Sequence, residues 1–313
     1  MSNSIQRTRS ADAPLFPKVA LVTGAAGIVG PGICRELQEA GWKVVAADYD
    51  EACFARYDWM HSDPVPADLR LTADLSNREE CRRLVAEASR RMGPIGLLVN
   101  NATGFSRREP LADIDEAACK KVFGVDVLAP LYLSQAATED LALAQGLIVN
   151  ISSVRINNVI PRSLLYFTAK AAVEKMTEAL AVELSPRKIR VNAIRIGAIP
   201  GDAFLRAAIE SLPPSLGAEL YADILPRHLE DSTGHSLTGK VGRPSDIGRM
   251  IAYLASPAGE FINGAILPVD GGYSLVQQQR AAVVSSGGTL AQKWITDTQG
   301  ELQKWLKERE NQA

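Results

Sequence analysis

Tyr166 and Lys170 stand four residues apart, so on a helix they lie one turn apart on the same face. An ammonium beside a phenol favours the phenolate and lowers a pKa that is about 10 in the free side chain. That makes Tyr166 an acid–base group suited to proton transfer near neutral pH. Ser153 lies 13 residues upstream of the tyrosine, at the end of the apolar run GLIVNISS (Gly146 to Ser153). If that run is a strand, Ser153 sits where α/β sheets bind their ligands, and its hydroxyl can bond a substrate oxygen. A tyrosine and lysine at this spacing are common on helix surfaces; the added serine makes the pattern specific.

A second cluster is TGAAGIVG (Thr23 to Gly30), between the apolar run VALVT and a helical pattern. Glycines there let main chain approach a pyrophosphate, and the helix N-terminus supplies N–H donors. Asp48 closes the next strand, KVVAAD (Lys43 to Asp48), where a carboxylate can accept both ribose hydroxyls of a dinucleotide. It would repel a 2′-phosphate, and Pro31 rather than a basic residue follows the last glycine. NAD is therefore expected over NADP.

The elements that must position these groups alternate along the chain. Strands are expected at Val19 to Thr23, Lys43 to Asp48, Ile95 to Ala102, Gly146 to Ser153, Ile189 to Ile196 and Ala265 to Val269. Helical patterns follow the first strand through Leu37 up to Gly41, cover 78–92, and run over about 164–185. This alternation predicts an α/β fold with a parallel sheet covered on both faces. Pro268 places the last strand at a sheet edge, because it cannot donate to the ladder. One domain over 18–273 is expected, after a flexible arm at 1–17. Residues 198–243, rich in Pro and Gly, read as a substrate lid. Residues 274–313 read as a partly helical C-terminal extension, whose apolar stripe includes Trp294 and Trp305 and packs on its own or a sister subunit.

Lys plus Arg number 34 against 36 for Asp plus Glu, with no long block of one sign, which argues against a nucleic-acid or anionic-membrane partner. Cys34, Cys53, Cys81 and Cys119 are scattered, without zinc-ligand spacing, so no metal is expected. The sparse thiols, the lack of a signal-peptide pattern and the lack of a bilayer-length apolar run give a cytoplasmic expectation.

The sequence resembles the short-chain dehydrogenase/reductase family. The match runs in order from about Lys18 to Tyr273 through TGAAGIVG, Asp48, ADLS (Ala73 to Ser76), NNAT (Asn100 to Thr103), ISS with YFTAK, VNAIRIG and PVDGG. The resemblance implies a doubly wound parallel Rossmann sheet of about seven strands, a homodimer or homotetramer, and a small alcohol or ketone as substrate. It also implies roles. Tyr166 transfers the proton while hydride passes between the substrate carbon and the nicotinamide; Lys170 binds the nicotinamide ribose; Ser153 orients the substrate oxygen. Gly24, Gly27, Ile28, Val29 and Gly30 would form the pyrophosphate turn, Asp74 and Leu75 would lie near adenine, Asn100 and Ala102 along the cofactor, and Ile199 at the nicotinamide amide.

The sequence departs from the family at several positions. Ile28 stands where the middle glycine is usual, with Gly27 one place earlier. NNAT replaces NNAG, Ile196 replaces the proline before Gly197, and the threonine usual after that pair gives way near Gly201 and Asp202. Asp126 replaces the asparagine that holds a water in a proton relay to the lysine; its charge would alter the surroundings of Lys170.

Arg155, Asn157 and Asn158, with Arg107 and Arg108, either meet an anionic or polyhydroxylated substrate or are solvated or subunit contacts. His228 and His235 read as structural or exposed. The expected activity is interconversion of a secondary alcohol and a ketone. The alternatives are a dinucleotide-binding sensor or scaffold, and an epimerase or dehydratase of the same family.

Overall fold

In the computed structural model, residues 18–60, 64–104, 110–157, 159, 161–197, 199, 236–240 and 242–275 are described. The expected arm and almost all of the expected C-terminal extension fall outside them. So does the bulk of the expected lid.

Seven parallel strands form one sheet in the order β3-β2-β1-β4-β5-β6-β7. They are β1 (Val19–Thr23), β2 (Lys43–Asp48), β3 (Leu69–Thr72), β4 (Ile95–Asn100), β5 (Leu147–Ser153), β6 (Arg190–Ile196) and β7 (Ile266–Val269). β1, β4 and β5 are buried at every residue, which is why they read as largely apolar runs rather than alternating ones. β7 is indeed an edge strand, with Pro268 opposite Arg195. The order reverses at β1, whose neighbours are β2 and β4, so a crevice opens above the C-terminal ends of β1 and β4.

Helices cover both faces: α1 (Gly30–Glu39), α2 (Glu51–Met60), α3 (Arg78–Met92), α4 (Glu116–Phe123), α5 (Ala129–Ala144), α6 (Leu164–Leu184) and α7 (Pro244–Leu254). Val45, Leu98, Ile148 and Val191 pack beneath α3 and α5, while Val44, Val99, Val149 and Ile194 meet α1 and α7. α1 and α7 touch through glycines: a Cβ on Gly32 would lie 2.4 Å from Pro244 Cβ, and one on Gly248 would lie 2.7 Å from Gly32 O.

α4 runs into α5 through a π-helical turn, Gly124–Leu128. Such turns insert a residue and aim it off the helix period, and they gather at functional sites. The residue aimed inward here is Asp126, which is 1% exposed.

Candidate active site

β1 ends at Thr23, and Gly24 takes φ +61°; a Cβ there would stand 2.7 Å from Ala102 Cα. The Gly27 N–H donates to Gly24 O at 3.0 Å, closing the turn. Gly30 opens α1 so close above the turn that a Cβ would lie 2.4 Å from Gly24 O. Both outer positions must therefore be glycine. Ile28 packs against the α1-side core, so its bulk points away from the turn's outer surface. Val29 offers no side-chain cap, which leaves the first amides of α1 to an outside acceptor. A pyrophosphate fits this cradle of main chain and helix N-terminus.

Asp48 sits beside the turn with each carboxylate oxygen held once among the described residues. Oδ2 accepts from the Ala26 N–H at 2.9 Å and Oδ1 from the Tyr49 N–H at 2.8 Å. A carboxylate has about four acceptor sites, so capacity remains for ribose hydroxyls. From the other side, Asn101 donates through Nδ2 to Thr23 O (3.0 Å) and Gly24 O (2.9 Å), while Thr23 Oγ1 accepts from the Asn101 and Ala102 N–H groups. This rivet between β4 and the glycine turn was not expected from the sequence, although the paired asparagines were the available signal.

The side chain of Asn100 is buried and donates to Asn150 Oδ1 at 2.8 Å. Asp74 accepts from the N–H and hydroxyl of Ser76 and so shapes the turn into α3; Leu75 is buried. Ile199 lies against the same core as Ile28.

The residues expected to carry proton transfer converge at the end of β5. Lys170 Nζ donates to Ile151 O at 3.1 Å, which fixes α6 beneath Ser153. Tyr166, one turn before, is half-buried, and Lys170 Nζ lies 5.8 Å from its ring centroid. Ser153 is buried, and its Oγ accepts from the Arg155 N–H at 3.2 Å.

Lys170 also meets Asp126 directly: Nζ and Oδ1 are 3.0 Å apart, with side-chain exposures of 6% and 1%. Where the resemblance implies a water-bridged relay, the carboxylate touches the ammonium itself. Asp126 Oδ1 further accepts from Thr103 Oγ1 at 2.8 Å, and Oδ2 from the Gly104 N–H at 2.7 Å. Burial works hardest on Lys170 and disfavours its charge, but Asp126 and Tyr166 outweigh it and hold the ammonium above the ordinary lysine value.

One turn further along α6, buried Glu174 forms a second polar cluster that sequence reasoning missed. It accepts from Ser152 Oγ at 2.7 Å and from Arg195 through Nε at 2.7 Å and Nη2 at 2.6 Å. This fork binds α6, β5 and β6 together immediately behind Ser153.

Arg155 is half-buried and Asn157 exposed. Arg107, Arg108, Asn158, His228 and His235 lie outside the described residues. All four cysteines are free, and burial first of all pushes the Cys34 thiol up to about 12 and those of Cys53 and Cys81 to about 11. Among the described residues no group of three His, Cys, Asp or Glu could hold a metal ion. Nor is any of their helices long and apolar enough to cross a membrane.

A family profile described as enoyl-(acyl carrier protein) reductase matches residues 24–274, most of the chain. The chain belongs to the short-chain dehydrogenase/reductase family. Within that family it is 32% identical over 259 residues to galactitol 2-dehydrogenase (L-tagatose-forming) of Cereibacter sphaeroides, covering 82% of this chain and 94% of that one. It is 31% identical over 268 residues to protein FixR of Bradyrhizobium diazoefficiens, covering 83% and 87%. Among solved structures, a blue fluorescent protein from a metagenomic library in complex with NADPH superposes with a TM-score of 0.65 at 27% identity, over 83% of this chain and 99% of that one. The seven-strand order and the crevice at β1 and β4 are the short-chain dehydrogenase/reductase architecture, and the enzyme class is that of oxidoreductases using a nicotinamide cofactor on CH–OH and carbonyl groups.

Proposed function

We propose that this protein interconverts a secondary alcohol and a ketone with NAD(H), using Tyr166 as acid–base group, Ser153 to orient the substrate oxygen and Lys170 to support the tyrosine. The observation that carries this reading is the anchoring of Lys170 on Ile151 O, two residues below Ser153, with Tyr166 one turn away on the same helix.

Because Ser153 Oγ already accepts from the Arg155 N–H, its hydroxyl hydrogen is free to donate to a substrate oxygen. In the oxidation direction Tyr166 takes the alcohol proton. When bound, the nicotinamide supplies the hydride chemistry. Lys170 would reach the nicotinamide ribose while its charge favours the phenolate. Ser153 and Lys170 are both buried, which strengthens these interactions.

The choice of NAD(H) rests on Asp48, held at the glycine turn by Ala26 and Tyr49. A carboxylate there accepts ribose hydroxyls and repels a 2′-phosphate. The test is calorimetric titration with NAD(H) and NADP(H), followed by a panel of secondary alcohols monitored at the NADH absorbance. Preferential NAD(H) binding with turnover supports the proposal. NADP(H) preference would overturn the role given to Asp48. NAD(H) binding without turnover on any alcohol would favour a dinucleotide-binding protein of another function.

A further inference from the structure

Thr103, Gly104 and Asp126 belong to two separate stretches of chain, and Thr103 and Asp126 are 23 residues apart. They meet at the Asp126 carboxylate. The Thr103 hydroxyl and the Gly104 N–H each hold one oxygen of the Asp126 carboxylate, and Oδ1 faces Lys170 Nζ at 3.0 Å. The π-helical turn brings Asp126 to this place, and its carboxylate is buried with the ammonium. Gly104 cannot be replaced without disturbance, since a Cβ there would lie 2.6 Å from Lys121 O. The carboxylate is thus gripped on both oxygens before it meets its counter-charge.

We infer that Thr103 is a positioning residue and that Thr103, Asp126 and Lys170 form one charge-compensated unit, in which Asp126 cancels part of the positive field that Lys170 presents to Tyr166 and so moves proton transfer to more alkaline pH. This rests on the reading of Tyr166 as the acid–base group. Lys170 carries a single positive charge, and a carboxylate in contact with it opposes formation of a phenolate nearby. A buried unit charge a few ångströms beyond the ammonium is weakly screened, so its field reaches the phenol.

Other charges near α6 do not supply this effect in the same way. Glu174 is matched by Arg195. On α4, Glu116 and Lys120 pair with each other in solvent, Lys121 is exposed, and Cys119 is half-buried. Arg155, on the turn after β5, is half-buried and adds positive rather than negative charge. Among the described residues, Asp126 is the carboxylate within ion-pair distance of Lys170.

The experiment is the pH profile of kcat for alcohol oxidation in the full-length protein, with parent, Asp126→Asn, Thr103→Val and Thr103→Ser compared. Asp126→Asn is expected to move the acid limb down by roughly one pH unit, a gain of up to about tenfold at a pH on that limb. Thr103→Val should move it part-way in the same direction, Thr103→Ser should restore the parent profile, and Thr103→Val should add nothing once Asp126 is Asn. An acid limb that stays in place or moves up in Asp126→Asn overturns the inference. So does a Thr103→Val shift that persists undiminished in the Asp126→Asn background. If the parent oxidises no alcohol, the reading of Tyr166 as catalytic fails, yet the charge relation is still measured. Ultraviolet difference titration of parent against Tyr166→Phe gives the phenolate midpoint, and the same comparison in the Asp126→Asn background must move it down; an unchanged midpoint overturns the inference.

Discussion

Two ion pairs, each with a buried α6 partner, sit one turn apart on α6, Lys170 with Asp126 and Glu174 with Arg195. Each ties the helix to other elements, and each is flanked by a hydroxyl, from Thr103 in one case and Ser152 in the other. They differ in what lies next to them. Lys170 is followed, in the direction of the crevice, by the half-buried ring of Tyr166 and the end of β5, whereas the Glu174 fork is spent wholly on β5 and β6. On the proposed mechanism, the same chemistry serves proton transfer at one turn and bracing at the next. Burial and pairing alone do not mark a catalytic group; an adjacent titratable side chain at the mouth of a crevice does.

That comparison can be broken at either pair. The largest effect is expected from Lys170→Met, which strips the ammonium from Tyr166 and leaves Asp126 buried without its counter-charge. It should lower kcat/KM by at least about a hundredfold, as for loss of a general acid–base contribution, and cost roughly 3 kcal/mol of stability. Both fall out of one steady-state assay and one denaturant titration.

Arg195→Met should separate the two effects. Leaving Glu174 unpaired costs about 3 kcal/mol, the low end of the range for a broken buried pair because Arg195 retains 26% side-chain exposure. A melt should show a fall of roughly 6–12 °C, while kcat at a permissive temperature changes by no more than a few-fold. A loss of activity as deep as that of Lys170→Met would erase the distinction between the two pairs.

The smallest effect sharpens the scale. Arg187 and Glu139 form an ion pair whose side chains are 39% and 80% exposed. Here the Arg187 hydrogen bond holds the Glu139 carboxyl below its ordinary range, in full contact with solvent. Screening leaves such a pair with little net value, so Arg187→Ala should leave the melting profile unchanged and activity intact.

Much of the architecture was legible because buried parallel strands are predominantly apolar. β1, β2 and β5 read directly from VALVT, KVVAAD and GLIVNISS, and Pro268 identified the edge. β3 was not located: its four residues, LRLT, are short, carry a charge, and lie at the opposite edge where only Leu69 is buried. β4 was expected to continue to Ala102 but ends at Asn100, since Asn101 leaves the ladder to clamp the glycine turn.

At the site, spacing along one helix revealed Tyr166 and Lys170, because both partners obey the same period. Thr103 and Asp126 were each visible as departures from the family pattern, but nothing in the sequence couples residues 23 apart on a loop and a π-helical turn. Glu174 and Arg195 escaped for the same reason: 21 residues separate them, and their contact exists only when α6 lies on β6.

The most direct test of the account is the initial rate of NADH formation from secondary alcohols by the parent and by Tyr166→Phe, with NAD(H) affinity measured on both. The account predicts a fall of roughly 10²- to 10⁴-fold with cofactor affinity unchanged, because the phenylalanine keeps the ring and removes only the acid–base group. Equal rates in the two proteins would contradict it.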